Sequence, residues 1–187
     1  MSVVKLTPDR SALLVIDMQD RLVPVMHEKT TLVRRTARLV EGAQVLQLPL
    51  AVTEQNPRGL GKTVDKVAKQ INGAIYRDDK MRFSACSEKL EAFFKKFNVR
   101  SVIVAGVETH ICVQQTCLEL IERGYTAAVC VDATSSRREI DKKVALQRMI
   151  QAGVVPTTVE ATLFELLGDA SSPKFRELRS VIDSKDG

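Results

Sequence analysis

A carboxylate, an amine and a thiol each stand where a strand-like run gives out: Asp17 follows LLVI, Lys80 follows GAIYRDD, and Cys112 follows VIVAGVETHI. A carboxylate directly behind four apolar residues has to be hydrogen-bonded or ion-paired, because burying it alone is expensive. Cys112 opens the helical pattern ICVQQTCLELIERG. Unpaired N–H groups and the dipole at a helix start favour an anion, so its thiol pKa is expected to fall, further still beside an ammonium. Such a thiol is a nucleophile for carbonyl carbon. Plainer readings stand alongside: Asp17 as a loop cap, Lys80 as one of a solvated cluster with Arg77, Asp78, Asp79 and Arg82, and Cys112 as a small buried hydrophobe.

The other thiols and the histidines bear less on chemistry. Cys117 lies five residues on, about 140° around a helix from Cys112. Cys130 falls within an apolar run and is expected in the core, whereas Cys86 lies close enough behind Lys80 to reach the same rim. His110 is positioned as a substrate contact, and not as an obvious partner for the sulfur. The 4 cysteines show no CxxC spacing and no pairing with the 2 histidines, His27 and His110, so no structural zinc is expected. Gln19, Gln55 and the loop from Thr134 to Arg137 follow strand ends and are candidate substrate contacts or loop-stabilising groups.

Positioning these residues falls to a repeated unit. Apolar runs recur at SALLVID (11–17), LPLAVTE (48–54), GAIYRD (73–78), RSVIVAG (100–106), YTAAVCVDA (125–133) and GVVPTTV (153–159). Residues apolar on consecutive positions fit parallel strands buried on both faces. Between them lie segments of helical spacing: TTLVRRTARLVEGAQVLQ, SEKLEAFFKKF with Ser87 as N-cap, ICVQQTCLELIERG ending at Gly124, and DKKVALQRMIQAG ending at Gly153. Alternation of strand and helix predicts an α/β fold, a parallel sheet with right-handed crossovers and helices on both faces. Ligands bind such sheets at the carboxyl ends of the strands, where Asp17, Thr53–Gln55, Lys80, the turn before Cys112 and Asp132 all fall. The glycines of NPRGLGKT (56–63) match neither common nucleotide-binding pattern, so no nucleotide cofactor is expected. A last short helix is expected after Pro173, followed by a frayed end.

Length and composition frame the reading. The 187 residues, 44% hydrophobic and 27% charged, suit one domain over 1–187. The first twenty residues carry neither a membrane-length apolar core nor a signal-peptide pattern, so no membrane association is expected. Unpaired thiols fit a reducing, cytoplasmic setting, although import into an organelle by an unrecognised signal stays open. With 28 Lys and Arg against 23 Asp and Glu, the net charge is +5, a mild attraction for anionic partners. Aromatics make up only 4%, too few for an obvious base-stacking platform.

Taken together, LLVIDMQ, TEQ, DKMRFSA, VIVAGVETHICV and VDATSSR, in that order over nearly the whole chain, resemble the isochorismatase-like hydrolase superfamily, in particular its cysteine hydrolase branch. The resemblance implies a Rossmann-like three-layer α/β/α fold with a six-stranded parallel sheet. It also implies an Asp, Lys and Cys catalytic triad, which falls on Asp17, Lys80 and Cys112. A non-proline cis peptide is implied between Val107 and Glu108, with the N–H groups of Glu108 and Cys112 forming an oxyanion hole. The implied reaction is covalent: Cys112 attacks a carbonyl, Asp17 moves the proton, Lys80 stabilises the ionised pair, and water releases the acyl group. For Asp17 to act as a base beside a lysine, burial must raise its pKa. Cys112 points to C–N hydrolysis and away from vinyl-ether cleavage. TEQNPRGLG stands where nicotinamidases carry an Asp and two His, so neither a metal nor nicotinamide is expected. A small-molecule substrate and a homo-oligomer are the implied partners.

The net charge motivates a different class, an RNA-binding protein or ribonuclease. No histidine pair or metal cluster offers it an efficient phosphodiester chemistry.

Overall fold

The computed structural model describes residues 5–73 and 76–184. Its strands and helices run β1 (Ser11–Ile16), α1 (Lys29–Val45), β2 (Leu50–Gln55), α2 (Pro57–Leu60), α3 (Asp65–Ala68), β3 (Tyr76–Lys80), α4 (Glu88–Lys96), β4 (Ser101–Val107), α5 (Gln114–Glu122), β5 (Thr126–Ser135), α6 (Glu139–Gln151), β6 (Val155–Thr157), α7 (Val159–Leu167) and α8 (Phe175–Asp183).

The strands form a 6-stranded sheet in the order β3-β2-β1-β4-β5-β6, every neighbouring pair parallel. The consecutive apolar runs have a direct cause in two cores. Along β1, Leu13 and Val15 face one cluster with Leu39, Val40 and Leu163, while Ala12, Leu14 and Ile16 face a second with Leu90, Phe94, Cys117 and Leu120. In β4, Ile103, Ala105 and Val107 join the first cluster, and Val102 and Val104 the second. Helices α1, α7 and α8 thus cover one face, and α4, α5 and α6 the other, giving three layers.

The chain leaves β1 towards β2 on one side and later returns through β4 on the other. This reversal of strand order opens a crevice at the carboxyl ends of β1 and β4. Asp17 ends β1, and the turn carrying Cys112 follows β4.

Several elements differ from their sequence-based bounds. β3 was expected over 73–78, but residues 70–73 form a 3-10 turn, 74 and 75 lie outside the described residues, and the strand runs from Tyr76 to Lys80. It is an edge strand, YRDDK, whose residues alternate between half-buried and exposed until the buried Lys80, so it carries little apolar signal. Helix α7 was not foreseen; Thr158 caps it, its side chain accepting from Ala161 N. Ser87 caps α4 as expected, accepting from Leu90 N at 3.1 Å. The fraying expected at the C-terminal end falls on 185–187, outside the described residues.

Candidate active site

Asp17 leaves β1 in the left-handed region, at φ 54°, a conformation that a non-glycine residue holds only where its surroundings enforce it. Its N–H donates to Thr53 O at 3.0 Å, which fixes the turn to the end of β2. Glycine at 106 permits the close approach beside it. A Cβ on Gly106 would lie 1.9 Å from Ile16 O, and its φ is +118°. The end of β4 can therefore press against the end of β1.

The Asp17 carboxylate is fully buried. Its Oδ1 accepts from Thr53 Oγ1 at 3.0 Å, and its Oδ2 from Lys80 Nζ at 2.6 Å. Burial raises its pKa above the ordinary carboxylate value, while the Lys80 charge and the hydrogen bonds from Lys80, Cys112 and Thr53 oppose that rise. Lys80, read locally as part of a solvated cluster, is instead only 9% exposed, whereas Arg77 and Asp79 on the same strand are exposed.

Cys112 is 6% exposed, within hydrogen-bonding reach of both the Asp17 carboxylate and the Lys80 ammonium. The first turn of a regular helix was expected here. The chain instead forms a wider π-helical turn, Thr109–Val113, in which Glu108 O accepts from Ile111 N at 3.0 Å and Val113 N at 3.2 Å. The Val107–Glu108 peptide bond that leads into it is cis. The expected fall in the thiol pKa is reversed. Burial pushes Cys112 up to about 12, the adjacent Asp17 charge adds to the rise, and Lys80 only partly offsets it. With its pKa raised so far, Cys112 is a neutral thiol at neutral pH.

The remaining residues singled out by sequence sit as follows. Glu108, 8% exposed, accepts from Arg137 Nε at 3.0 Å. His110 is half-buried, with Nδ1 2.9 Å from Ser136 Oγ, so the loop from Thr134 to Arg137 packs against the turn that carries Cys112. Gln19 is fully buried and Gln55 9% exposed, and their side-chain amides are hydrogen-bonded within the protein. Cys86, 3% exposed, has Sγ 3.8 Å from Thr116 O and packs in the second core cluster with Cys117. Thr53 was read only as a strand end; a hydroxyl at the position that pairs with Ile16, the end of β1, was the signal for its bond to Asp17. Among the described residues, no group of three or more His, Cys, Asp or Glu is placed to hold a metal ion. No described helix is long and apolar enough to cross a membrane.

Residues 11–161 match the isochorismatase domain. Isochorismatase domain-containing protein 1 of Danio rerio is 40% identical over 178 residues, which are 95% of this chain and 62% of that relative. This chain therefore spans less than two thirds of that relative's length. Among solved structures, that of the MAR1 ribonuclease from Caenorhabditis elegans is 37% identical with a TM-score of 0.92, over 98% of this chain and 95% of the other. The YcaC gene product of Escherichia coli, described as an octameric hydrolase of unknown specificity, is 26% identical with a TM-score of 0.87, over 97% and 92%. With the match to the domain covering most of its length, the chain belongs to the isochorismatase family.

Proposed function

We propose that this chain is a metal-independent cysteine hydrolase that cleaves an amide or carbamoyl C–N bond of a small molecule through a covalent thioester. The observation that carries this reading is the buried pair of Lys80 Nζ and Asp17 Oδ2, 2.6 Å apart, with the Cys112 thiol in reach of both. A thiol held near pKa 12 is not a free thiolate at neutral pH, so attack has to be coupled to proton transfer. As Sγ bonds the carbonyl carbon, its proton passes to the Asp17 carboxylate. The carbonyl oxygen becomes an oxyanion stabilised by the N–H groups of Glu108 and Cys112. Collapse breaks the C–N bond, and Asp17 returns the proton to the leaving nitrogen. Water, deprotonated by Asp17, then attacks the thioester, and the acid product leaves as the Cys112 thiol is restored. Lys80 balances the charge of Asp17 when that is ionised.

The test is a panel of small amides, ureides and carbamoyl compounds, with intact-protein mass spectrometry to trap the acyl adduct. Turnover with an adduct on Cys112, both lost in Cys112→Ala, is the expected result. Iodoacetamide supplies a substrate-free check: Cys86 is also raised, to about 11, with the Glu119 carboxylate acting on it only through its charge, whereas the Cys112 thiol is hydrogen-bonded to the Asp17 carboxylate. Cys112 should alkylate faster than Cys86, Cys117 and Cys130 at pH 7; equal rates would remove the proposal.

A second reading is ribonucleolytic or RNA-binding action, favoured by the description of the Caenorhabditis elegans relative and by the net charge of +5. A thiol that is 6% exposed suits a small substrate better than a polynucleotide chain. Specific phosphate contacts would make RNA affinity fall steeply with salt, and a flat or absent response removes this reading. We also propose a homo-oligomer, because the Escherichia coli relative is described as octameric and Met81, Phe83, Ile140 and Val144 are each more than half exposed here. Light scattering coupled to size exclusion tests it, and a monomer at micromolar concentration would refute it.

A further inference from the structure

Gln19 and Gln55 were candidates for substrate contact or for stabilising the loops, and their amides are spent inside the protein. Strand β1 stops pairing with β2 at Ile16↔Thr53, and the chain turns away at Asp17, so residue 55 loses a strand partner on that side. The Gln19 side chain takes its place. Its Oε1 accepts from Gln55 N at 2.7 Å, its Nε2 donates to Gln55 O at 3.0 Å, and the same Nε2 donates to Gly61 O at 2.8 Å. Both backbone groups of Gln55 are thereby clamped by one side chain.

The Gln55 side chain continues the chain of contacts. Its Nε2 donates to Met81 O at 2.9 Å, and its Oε1 accepts from Lys80 Nζ at 2.8 Å. Chemistry fixes this orientation, since Met81 O can only accept and the ammonium can only donate. Lys80 has three N–H bonds for four acceptors: Asp17 Oδ2 at 2.6 Å, Gln55 Oε1 at 2.8 Å, Phe83 O at 3.0 Å and Arg82 O at 3.4 Å. Of the three side-chain and carbonyl partners besides Asp17, Gln55 makes the shortest bond. It is also neutral, which leaves Asp17 as the single carboxylate bonded to the ammonium.

We infer that Gln55, clamped by Gln19, is a positioning residue that holds the Lys80 ammonium against Asp17 while adding no competing negative charge. The inference rests on the proposed Cys, Asp and Lys chemistry and gives that site a support that contacts no substrate. A neutral acceptor keeps Lys80 oriented and leaves its charge for Asp17. A carboxylate at the same position would draw the ammonium away and disfavour ionisation of Asp17 through like charge.

The experiment measures the rate of Cys112 alkylation by iodoacetamide on the full chain between pH 5 and 9, by mass spectrometry, with circular dichroism to establish folding. Wild type, Asp17→Asn, Gln55→Leu and the isosteric Gln55→Glu are compared. Gln55→Glu is expected to move the midpoint of the rate profile up by about one pH unit, and Gln55→Leu to slow alkylation at pH 7 by about tenfold. A residue that touched only substrate, or only held the fold, would leave folded variants with the wild-type midpoint and rate. Folded Gln55→Glu with an unshifted midpoint overturns the inference, and it decides alone if Gln55→Leu does not fold. If Asp17→Asn also matches wild type, the underlying Cys–Asp–Lys reading fails instead.

Discussion

Lys80 Nζ lies 2.6 Å from Asp17 Oδ2 although 63 positions separate the two residues, and both are almost completely buried. The sheet order makes this meeting: Asp17 ends β1, Lys80 ends the edge strand β3, and β2 lies between them. A long side chain must therefore cross the end of β2, where Thr53 and Gln55 supply polar partners. The same burial that lifts the Asp17 pKa makes either charge costly alone, so the pair stands or falls together.

Removing one partner should show that dependence. Lys80→Met leaves the Asp17 carboxylate buried without its cation, and urea unfolding at pH 8 should show a loss of about 3 kcal/mol. The folded-state pKa of Asp17 is already raised and would rise further. The folded protein then binds the proton more tightly than the unfolded chain, so stability falls as pH rises through the folded pKa and returns on acidification. The double variant Lys80→Met, Asp17→Asn should recover most of the loss at pH 8, and a loss independent of pH would refute the coupling.

Thr53→Val tests the other side of the carboxylate. The change nearly keeps the shape of a buried side chain and deletes the donor to Asp17 Oδ1. A hydrogen bond to a charged group contributes about 1.5–3 kcal/mol, equivalent to roughly 1–2 pKa units upward for Asp17. The proposed base works only when ionised, so the acid limb of turnover, or of Cys112 alkylation, should move to higher pH. An unchanged acid limb would show that Asp17 does not set it.

Much of this arrangement is legible in the sequence, and the gaps have physical causes. β1 and β4 announce themselves because strands sandwiched between two helical layers are apolar at consecutive positions, which also places Asp17 and the Cys112 turn at one rim. β3 hides its bounds because an edge strand can be as polar as YRDDK. Lys80 is indistinguishable locally from the charges beside it, and only its place in a family pattern singles it out. Helix α7 was not foreseen although its signal is there: Thr158 before Val159, Leu163 and Leu166 at helical spacing is a start signal beside an apolar stripe. The Cys112 pKa was misjudged because a helix-end argument counts the dipole and not burial. The roles of Gln19 and Gln55 depend on where β1 stops pairing, a fact of register that the local sequence does not carry.

Gly106→Ala should be among the most damaging small substitutions in the chain. The added Cβ would meet Ile16 O, a backbone atom, at 1.9 Å in a conformation that alanine rarely adopts. Relief requires β4 to move off β1, which would separate the Cys112 turn from Asp17. A loss of about 4 kcal/mol or more, or failure to fold, is expected in urea titration, whereas Gly124→Ala, with nothing within 4 Å, should lose only its backbone strain of about 1 kcal/mol. Comparable losses at the two positions would contradict the close approach of β1 and β4.

Alkaline pH probes all the buried thiols together. Burial raises Cys86 to about 11, Cys112 to about 12 and Cys130 to about 12, and lifts Cys117 as well, all above the ordinary thiol value. The unfolded chain releases these protons near pH 9 while the folded protein retains them. Above pH 9 the folded state therefore binds more protons, and stability must fall as pH rises until each folded pKa is passed. Each retained thiol proton contributes up to about 1.4 kcal/mol per pH unit to that slope. Cys130→Ala removes one such group at a core position remote from the proposed chemistry, so its stability should fall less steeply between pH 9 and 10.5 than that of wild type. Parallel slopes would mean that Cys130 ionises as readily folded as unfolded, and that the strand core around it admits water.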